Sequence, residues 1–243
     1  MNILLVADVS ISEPISGAER VLFEQSTRLS NREHDVYILT RKLQDHKSNQ
    51  EVTQGVREWR YDVDQRNGLS FIKSTLINCR RLFESLQNQF SFDCINFHQP
   101  FSARGVIRSP ASKKVKKIYT CHSLSFEEFQ SRNPRPKNIT KKLSYSFNIQ
   151  ARRFIERKIL NESDRIAVLS RFTQKKLWSA YKVPPGKIVI IPGGVDLERF
   201  YPAVDKVEIR RHLKIPEERM ILFTVRDLEP RMGLENLILL SKR

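Results

Sequence analysis

Cysteine is scarce in this sequence, and the few cysteines present are scattered along it. Cys79, Cys94 and Cys121 are the only three among 243 residues. Their odd number and wide separation argue against a disulfide framework and against a zinc site. Free thiols of this kind suit a reducing compartment, so we expect a cytoplasmic protein.

Long apolar runs are also missing. No run approaches the ~20 apolar residues that a helix needs to cross a bilayer. The first eight residues, Met-Asn-Ile-Leu-Leu-Val-Ala-Asp, lack the basic start and the long apolar stretch of a signal peptide. They predict a buried first strand instead.

Acidic residues are in deficit. Lysine and arginine number 43 against 27 aspartates and glutamates, which gives a net charge of +16. The segment Lys113–Lys158 holds 13 basic and three acidic residues, so +10 of the excess is concentrated there. A clustered excess of this sign indicates a polyanionic partner, although ordinary solvated faces are the alternative. No recognised nucleic-acid-binding motif accompanies the charge, so an anionic membrane surface is the favoured partner and nucleic acid is not expected.

Apolar runs alternate with amphipathic stretches along most of the chain. Helical spacing of apolar residues predicts helices within 17–29, 72–86, 143–159 and 172–180. Continuous apolar runs predict strands at 2–8, 36–39, 94–97, 117–121, 165–169 and 187–191, with a weaker strand at 56–63. Repeated alternation of this kind predicts an α/β fold, with a parallel sheet covered by helices on both faces.

A domain boundary is expected after the last of these strands. Pro192, Gly193 and Gly194 interrupt regular structure there. We therefore assign residues 1–196 to a first domain and residues 197–243 to the start of a second. The second segment predicts a helix near 207–213, a strand at 220–225 and a helix from Leu234. That is too little to bury its own apolar residues, so we expect a truncated second α/β domain.

Five segments, taken together and in this order, resemble the family-4 retaining glycosyltransferases. The segments are 16–20 (Ser-Gly-Ala-Glu-Arg), 119–123 (Tyr-Thr-Cys-His-Ser), 167–173, 191–202 and 225–234. The resemblance implies the GT-B fold, in which two Rossmann-like domains face each other across a cleft. It implies transfer of a sugar from a nucleotide-sugar donor to an acceptor hydroxyl, with retention of configuration. The first domain would bind the sugar or lipid-linked acceptor and the second the donor.

The resemblance assigns roles to three residues of the first domain. Gly17 lies where the first strand meets the first helix, a place where free backbone N–H groups form an anion site, and it would approach the donor diphosphate. His122 follows a strand end and would contact the transferred sugar. His98 also follows a strand and would line the acceptor pocket. The alternatives are an ordinary turn glycine and histidines satisfied by backbone partners.

The segment 225–234 would stabilise the departing diphosphate with positive charge. Family members carry an arginine six residues before the glycine and a lysine just before it, whereas this chain has Asp227 and Met232. Arg226 and Arg231 are the remaining candidates for that role. Because Asp227 reverses a charge and the glutamates that hold the donor would lie beyond residue 243, we expect no transfer by the chain as given.

Asp62 and Asp64 form an Asp-x-Asp pair, which some glycosyltransferases of the other fold class use to hold a divalent ion. The surrounding pattern is that of GT-B, so a surface loop is favoured and no metal or other cofactor is expected. The alternative function is a non-catalytic membrane-surface or acceptor-binding module. For the enzyme as for this module, we expect a cytoplasmic protein at the inner face of the membrane.

Overall fold

Eight strands form one sheet in the computed structural model of this chain, which describes residues 1–12, 17–44, 46–225 and 232–240. The strands, in chain order, are β1 (Asn2–Val6), β2 (Asp35–Arg41), β3 (Gln50–Thr53), β4 (Val56–Tyr61), β5 (Cys94–Phe97), β6 (Lys116–Cys121), β7 (Arg165–Val168) and β8 (Ile188–Ile190). They lie in the order β3-β4-β2-β1-β5-β6-β7-β8. All neighbours are parallel except β3 and β4. This confirms the predicted α/β class.

Helices connect the parallel strands. Those of the sheet-bearing part are α1 (Gly17–Ser30), α2 (Gly68–Phe90), α3 (Pro100–Ile107), α4 (Ser125–Arg132), α5 (Ile139–Glu162) and α6 (Arg171–Tyr181). Side-chain caps fix where several of them begin. The side chain of Asn67 accepts a hydrogen bond from the Ser70 backbone N–H at the start of α2, and Ser170 accepts one from Thr173 at the start of α6. Four helices were predicted, and the short α3 and α4 were not.

The central strands are apolar because both of their faces are covered. Leu4, Leu5, Ile38 and Ile95 have no exposed surface. Leu4 belongs to the larger core cluster and Leu5 to the smaller one, so adjacent residues of β1 pack on opposite faces of the sheet. The continuous apolar runs in the sequence have this origin.

One edge of the sheet differs from the prediction. β3 was not expected, and it pairs with β4 in an antiparallel hairpin. The two connecting residues, Gln54 and Gly55, both have positive φ angles, of 49° and 80°. That backbone is the tight two-residue turn that matches the twist of a hairpin, and glycine tolerates it best.

The structure divides into two compact units, residues 1–192 and 193–243. The described part of the second unit contains the helices α7 (Lys206–His212) and α8 (Leu234–Leu240). The strand predicted at 220–225 is wrong, because the structure has no strand there and leaves Phe223 83% exposed. A strand needs a neighbour to satisfy its backbone, and no other strand occurs among the described residues of this unit.

Candidate active site at the carboxyl edge of the sheet

The ends of β1, β5 and β6 define the candidate site. These strands are adjacent and parallel, with Val6 opposite Phe97 and Phe97 opposite Tyr119. His98 follows β5 directly, His122 follows β6 directly, and α1 begins at Gly17 after the loop that leaves β1. All three residues therefore lie at the carboxyl edge of the sheet, where ligands of open α/β sheets bind.

His98 and His122 are in direct contact although they lie 24 residues apart in sequence. His98 Nδ1 and His122 Nε2 are 3.1 Å apart, which is a hydrogen-bond distance. Their rings stack with centroids 5.4 Å apart and planes inclined by 27°. The sequence predicted that both histidines lie at strand ends, but it did not predict that their rings are in contact.

The pair continues into the sheet through two polar residues that the sequence did not single out. The Thr120 hydroxyl donates to Asn96 Oδ1 at 2.9 Å. Asn96 Nδ2 lies 3.4 Å from His98 Nε2. Asn96 lies in β5 opposite Ile118, and Thr120 lies two residues further along β6. A polar residue within each of these strands was the available sequence signal. Together, the four side chains form a row running from β6 across β5 to His122.

Burial sets the charge state of both histidines. Burial, together with a smaller contribution from the neighbouring His122, lowers the pKa of His98 to about 3. Burial also lowers the pKa of His122, while the Glu128 carboxylate on α4 opposes that shift. Both imidazoles are therefore neutral at neutral pH, and each has one N–H donor and one acceptor nitrogen.

His98 and His122 differ in accessibility. Only 3% of His98 is exposed, whereas His122 is half-buried. A small molecule bound at the carboxyl edge of the sheet would therefore contact His122 more readily than His98. His98 was predicted to line the acceptor pocket, but it has little exposed surface with which to contact an acceptor.

Gly17 opens α1 with free space in front of it. A Cβ built on Gly17 would meet no heavy atom within 4 Å. The first-turn amides of a helix carry partial positive charge, so this end can receive an anion, although Glu19 in the same turn works against that. Residues 13–16, which precede Gly17 and include part of the predicted segment 16–20, lie outside the described residues.

A second polar group lies at the same edge, beyond β1. Asp8 follows β1, Arg41 ends β2 and Tyr61 ends β4, and β4, β2 and β1 are consecutive in the sheet. Burial raises the pKa of Asp8, and the charge of Arg41 opposes the shift. Within the described chain, Asp8 Oδ1 and Arg41 Nε are buried without hydrogen-bond partners. The sequence signal for this group was a polar residue directly after an apolar run.

The remaining predicted site residues lie elsewhere. Arg226 and Arg231, together with Asp227, fall outside the described residues. Asp64 accepts hydrogen bonds from Arg66, at 3.0 Å from Nε and 2.6 Å from Nη2, and this partner lowers the pKa of Asp64 to about 2. Among the residues that the structure describes, no three histidine, cysteine, aspartate or glutamate side chains are grouped so as to hold a metal ion.

The basic segment Lys113–Lys158 is only partly a solvated surface. The guanidinium of Arg152 lies over Phe101 and Phe129, at 5.1 and 4.8 Å, and that of Arg153 lies over Phe126 at 4.1 Å. These two arginines pack against α3 and α4, so the charge of the segment is not all available to an anionic partner. None of the helices in the described ranges is both long and apolar enough to cross a bilayer.

The first half of α5 presents a different surface. Ile139, Leu143 and Phe147 recur every fourth residue and are 74%, 69% and 69% exposed. Lys141 and Lys142 are exposed beside them. The predicted apolar stripe is therefore buried only towards the end of the helix, where Ile159 and Leu160 join the core.

Comparison with known proteins places this architecture in a family. Residues 15–199 match the model of Glycosyltransferase Family 4. The chain is 26% identical over 231 residues to the UDP-Gal:alpha-D-GlcNAc-diphosphoundecaprenol alpha-1,3-galactosyltransferase of Escherichia coli, an alignment that covers 90% of this chain and 52% of the relative. The chain thus spans about half the length of that curated relative.

Solved structures show the same fold. Sucrose-phosphate synthase from Thermosynechococcus elongatus superposes with a TM-score of 0.72 at 18% identity, covering 98% of this chain and 58% of the synthase. The Anabaena protein HepE in complex with UDP-glucose superposes with a TM-score of 0.55 at 13% identity, covering 88% of this chain and 50% of that protein. At these identities the likeness concerns the fold, which is GT-B.

Proposed function

The chain belongs to Glycosyltransferase Family 4, and we propose that it supplies the acceptor-side domain of a retaining glycosyltransferase. The enzyme would transfer a sugar from a nucleotide-sugar donor to an acceptor hydroxyl. The observation that carries this proposal is that His122 and the amino end of α1 lie at the same edge of the sheet, since a sugar and a diphosphate are adjacent parts of one donor. Residues 1–196 would bind the acceptor and residues from 197 onward would begin the donor side.

In the proposed reaction, the bond between the anomeric carbon and the diphosphate oxygen breaks and a bond to the acceptor oxygen forms. The acceptor hydroxyl loses its proton and the nucleoside diphosphate leaves. His122 is neutral because burial lowers its pKa, so it is not a general acid at neutral pH. Its role in this proposal is to donate a hydrogen bond to a sugar hydroxyl and so orient the transferred sugar.

The diphosphate would be held by charge rather than by a metal ion. The amino end of α1 at Gly17 offers backbone N–H groups and open space for close approach. Arg226 and Arg231 are the cations assigned to the leaving phosphate, with Asp227 between them as an opposing charge. Preorganised donors of this type supply the main stabilisation when a leaving group gains charge.

A lipid-linked acceptor is the class we favour. The Escherichia coli relative is named for an acceptor joined to diphosphoundecaprenol, and HepE was solved with UDP-glucose. The exposed residues Ile139, Leu143 and Phe147, with Lys141 and Lys142 beside them, fit the interface of an anionic membrane in which such an acceptor resides. These features support the proposal that the enzyme acts at the inner face of the membrane.

The test of the transfer proposal joins the chain to the second domain of the Escherichia coli relative, because the 243 residues span about half of that protein. The fusion is assayed with UDP-galactose or UDP-glucose and a diphosphoundecaprenol-linked sugar. We expect turnover by the fusion and none by the chain alone. His122→Ala should lower kcat by about 10²-fold, a loss typical of one transition-state donor, whereas the exposed His212→Ala should not. Full activity of the His122→Ala fusion would refute the assigned role.

A non-catalytic membrane or acceptor-binding module is the second candidate, and the exposed apolar start of α5 favours it specifically. Both candidates predict binding to anionic vesicles, but only the enzyme predicts turnover by the fusion. Vesicle binding without any transfer would select the module.

A further inference from the structure

The hydrogen bonds that link Thr120, Asn96, His98 and His122 have a defined direction from donor to acceptor. The Thr120 hydroxyl donates to Asn96 Oδ1, so the Asn96 amide turns its Nδ2 towards His98. An amide nitrogen has hydrogens but no accepting lone pair, so His98 Nε2 must be the acceptor of that contact. At 3.4 Å the contact is long, but Asn96 and His98 are both buried, with 4% and 3% exposure, which strengthens polar contacts.

The direction fixes the proton on each ring. Because His98 is neutral and its Nε2 accepts, its hydrogen is on Nδ1, and this N–H donates to His122 Nε2 at 3.1 Å. His122 Nε2 is therefore an acceptor, and the hydrogen of the His122 ring is on Nδ1. No described residue pairs with His122 Nδ1, so this N–H is left to the crevice.

We propose that Asn96 and His98 are positioning residues that hold His122 in its Nδ1–H tautomer, so that His122 presents a hydrogen-bond donor and not a lone pair to the sugar. The purpose of this arrangement rests on the proposed glycosyl transfer. A histidine that orients a sugar hydroxyl is useful only with its proton on the nitrogen that faces the substrate. The neutral histidine side chain in water prefers the Nε2–H form, so the proposed state is one that the protein must impose.

The rival arrangement reverses the whole row. If the Asn96 amide were turned over, its oxygen would face His98, and both histidines would carry their hydrogen on Nε2. The oxygen and nitrogen of an amide, and the tautomer of a histidine, follow from the network around them. The two arrangements are mutually exclusive for His122, so a measurement of its tautomer decides between them.

The experiment is long-range ¹H–¹⁵N correlation spectroscopy of the ¹⁵N-labelled 243-residue chain, at about pH 8, where a lowered pKa keeps both rings neutral. The two ring nitrogens of each histidine separate by whether they carry hydrogen, and the His122→Gln and His98→Asn spectra assign the signals. We expect the Nδ1–H form of His122 in large excess. An excess of the Nε2–H form in the folded chain overturns the proposal.

Variants of His98 and Thr120 test whether these residues set the tautomer of His122. His98→Leu removes the donor, and the ratio of Nδ1–H to Nε2–H forms at His122 should fall below one. His98→Asn puts an amide N–H near the position of Nδ1, and it should restore the excess. Thr120→Val removes the hydroxyl that orients Asn96, and it should give a mixture of forms. His212→Leu, at an exposed position, should leave the ratio unchanged.

Each outcome bears on the proposal. An unchanged His122 ratio in His98→Leu and Thr120→Val refutes control by the row. Should His98→Leu fail to fold, Thr120→Val still decides, because valine is close in size and shape to threonine and the row predicts a mixture of forms in that variant. The spectra need no substrate, so a failure of glycosyl transfer leaves this result standing, and a wrong tautomer leaves the transfer assay standing.

Discussion

Replacing Glu156 is the sharpest test of how the first unit is held together. Glu156 lies on α5 with no exposed surface. One oxygen accepts from Tyr119 Oη at 3.3 Å and from the Ser125 backbone N–H at 3.0 Å, and the other accepts from Tyr181 Oη at 2.5 Å. This carboxylate therefore joins α5 to β6, to the start of α4 and to the end of α6.

The magnitude follows from which donors lose their partner. In Glu156→Leu the backbone N–H of Ser125 and the buried hydroxyl of Tyr119 are left unsatisfied, at about 1–3 kcal/mol each. Tyr181 is only half-buried and can turn to water. We therefore expect Glu156→Leu to lower the free energy of unfolding by about 2–6 kcal/mol. Glu156→Gln keeps an acceptor for Ser125 and Tyr119, so it should cost much less.

The pH dependence has a definite sign. Burial raises the pKa of Glu156, and the three hydrogen bonds oppose but do not cancel this shift. A raised carboxyl pKa means that the folded chain binds this proton more tightly than the unfolded chain. The contribution of Glu156 to stability therefore declines as pH rises from the unfolded pKa of about 4.3 to above its folded value. Glu156→Gln lacks this decline, so its stability relative to the wild type should improve from acidic to neutral pH.

Urea unfolding followed by circular dichroism measures these differences. Glu162→Leu is the matched control, because it removes an exposed glutamate from the last turn of the same helix. Equal losses in Glu156→Leu and Glu162→Leu would refute the reasoning about orphaned donors. A relative stability of Glu156→Gln that falls as pH rises would refute the sign of the pKa argument.

Three further predictions concern packing, membrane contact and charge. Gly105→Ala should cost about 1–3 kcal/mol of unfolding free energy, because its Cβ would lie 3.1 Å from Cys79 Cβ, whereas Gly186→Ala meets open space. Phe147→Ser should weaken flotation with anionic vesicles more than Phe172→Ser, which removes a comparably exposed ring from α6, and equal effects would contradict a docking face on α5. In the fusion with a complete second domain, Asp227→Arg should raise kcat/KM for the donor more than Asp227→Asn does, and no gain from either would remove position 227 from the diphosphate site.

The order of strands and helices was largely predictable because most of the buried strands are short runs of mainly apolar residues. Residues 94–97 were predicted and found as β5, and residues 117–121 became the last five residues of β6. Where a strand lies at an edge, the signal weakens. β3 reads Gln-Glu-Val-Thr and is largely exposed, so its place in the sheet comes from the turn at Gly55 and from pairing with β4.

The sequence predicted the positions of the candidate site residues in the fold, but not the contacts between their side chains. Alternation of strands and helices places His98 and His122 after strands, and parallel strands put both at one edge. It does not say that β5 and β6 are neighbours, and only that order brings the two rings to 3.1 Å. Asn96 and Thr120 stand out in the sequence as polar residues within strands, but only the pairing of β5 with β6 brings the two side chains together.

The interpretation of α5 failed for a physical reason that changes the membrane proposal. Charged residues were counted as solvated, but Arg152, Arg153 and Glu156 lie three and four residues apart and form the inward face of the helix beside the core residue Ile159. Arginine can pack its flat guanidinium on an aromatic ring, as Arg153 does on Phe126, so charge alone does not mark a surface. The net charge of Lys113–Lys158 therefore overstates what a membrane would meet. The proposed membrane contact therefore rests on the start of α5, where apolar side chains and lysines are exposed together. Charge reversal at Lys141 and Lys142 should weaken vesicle binding, whereas the same change at Arg152 should lower stability.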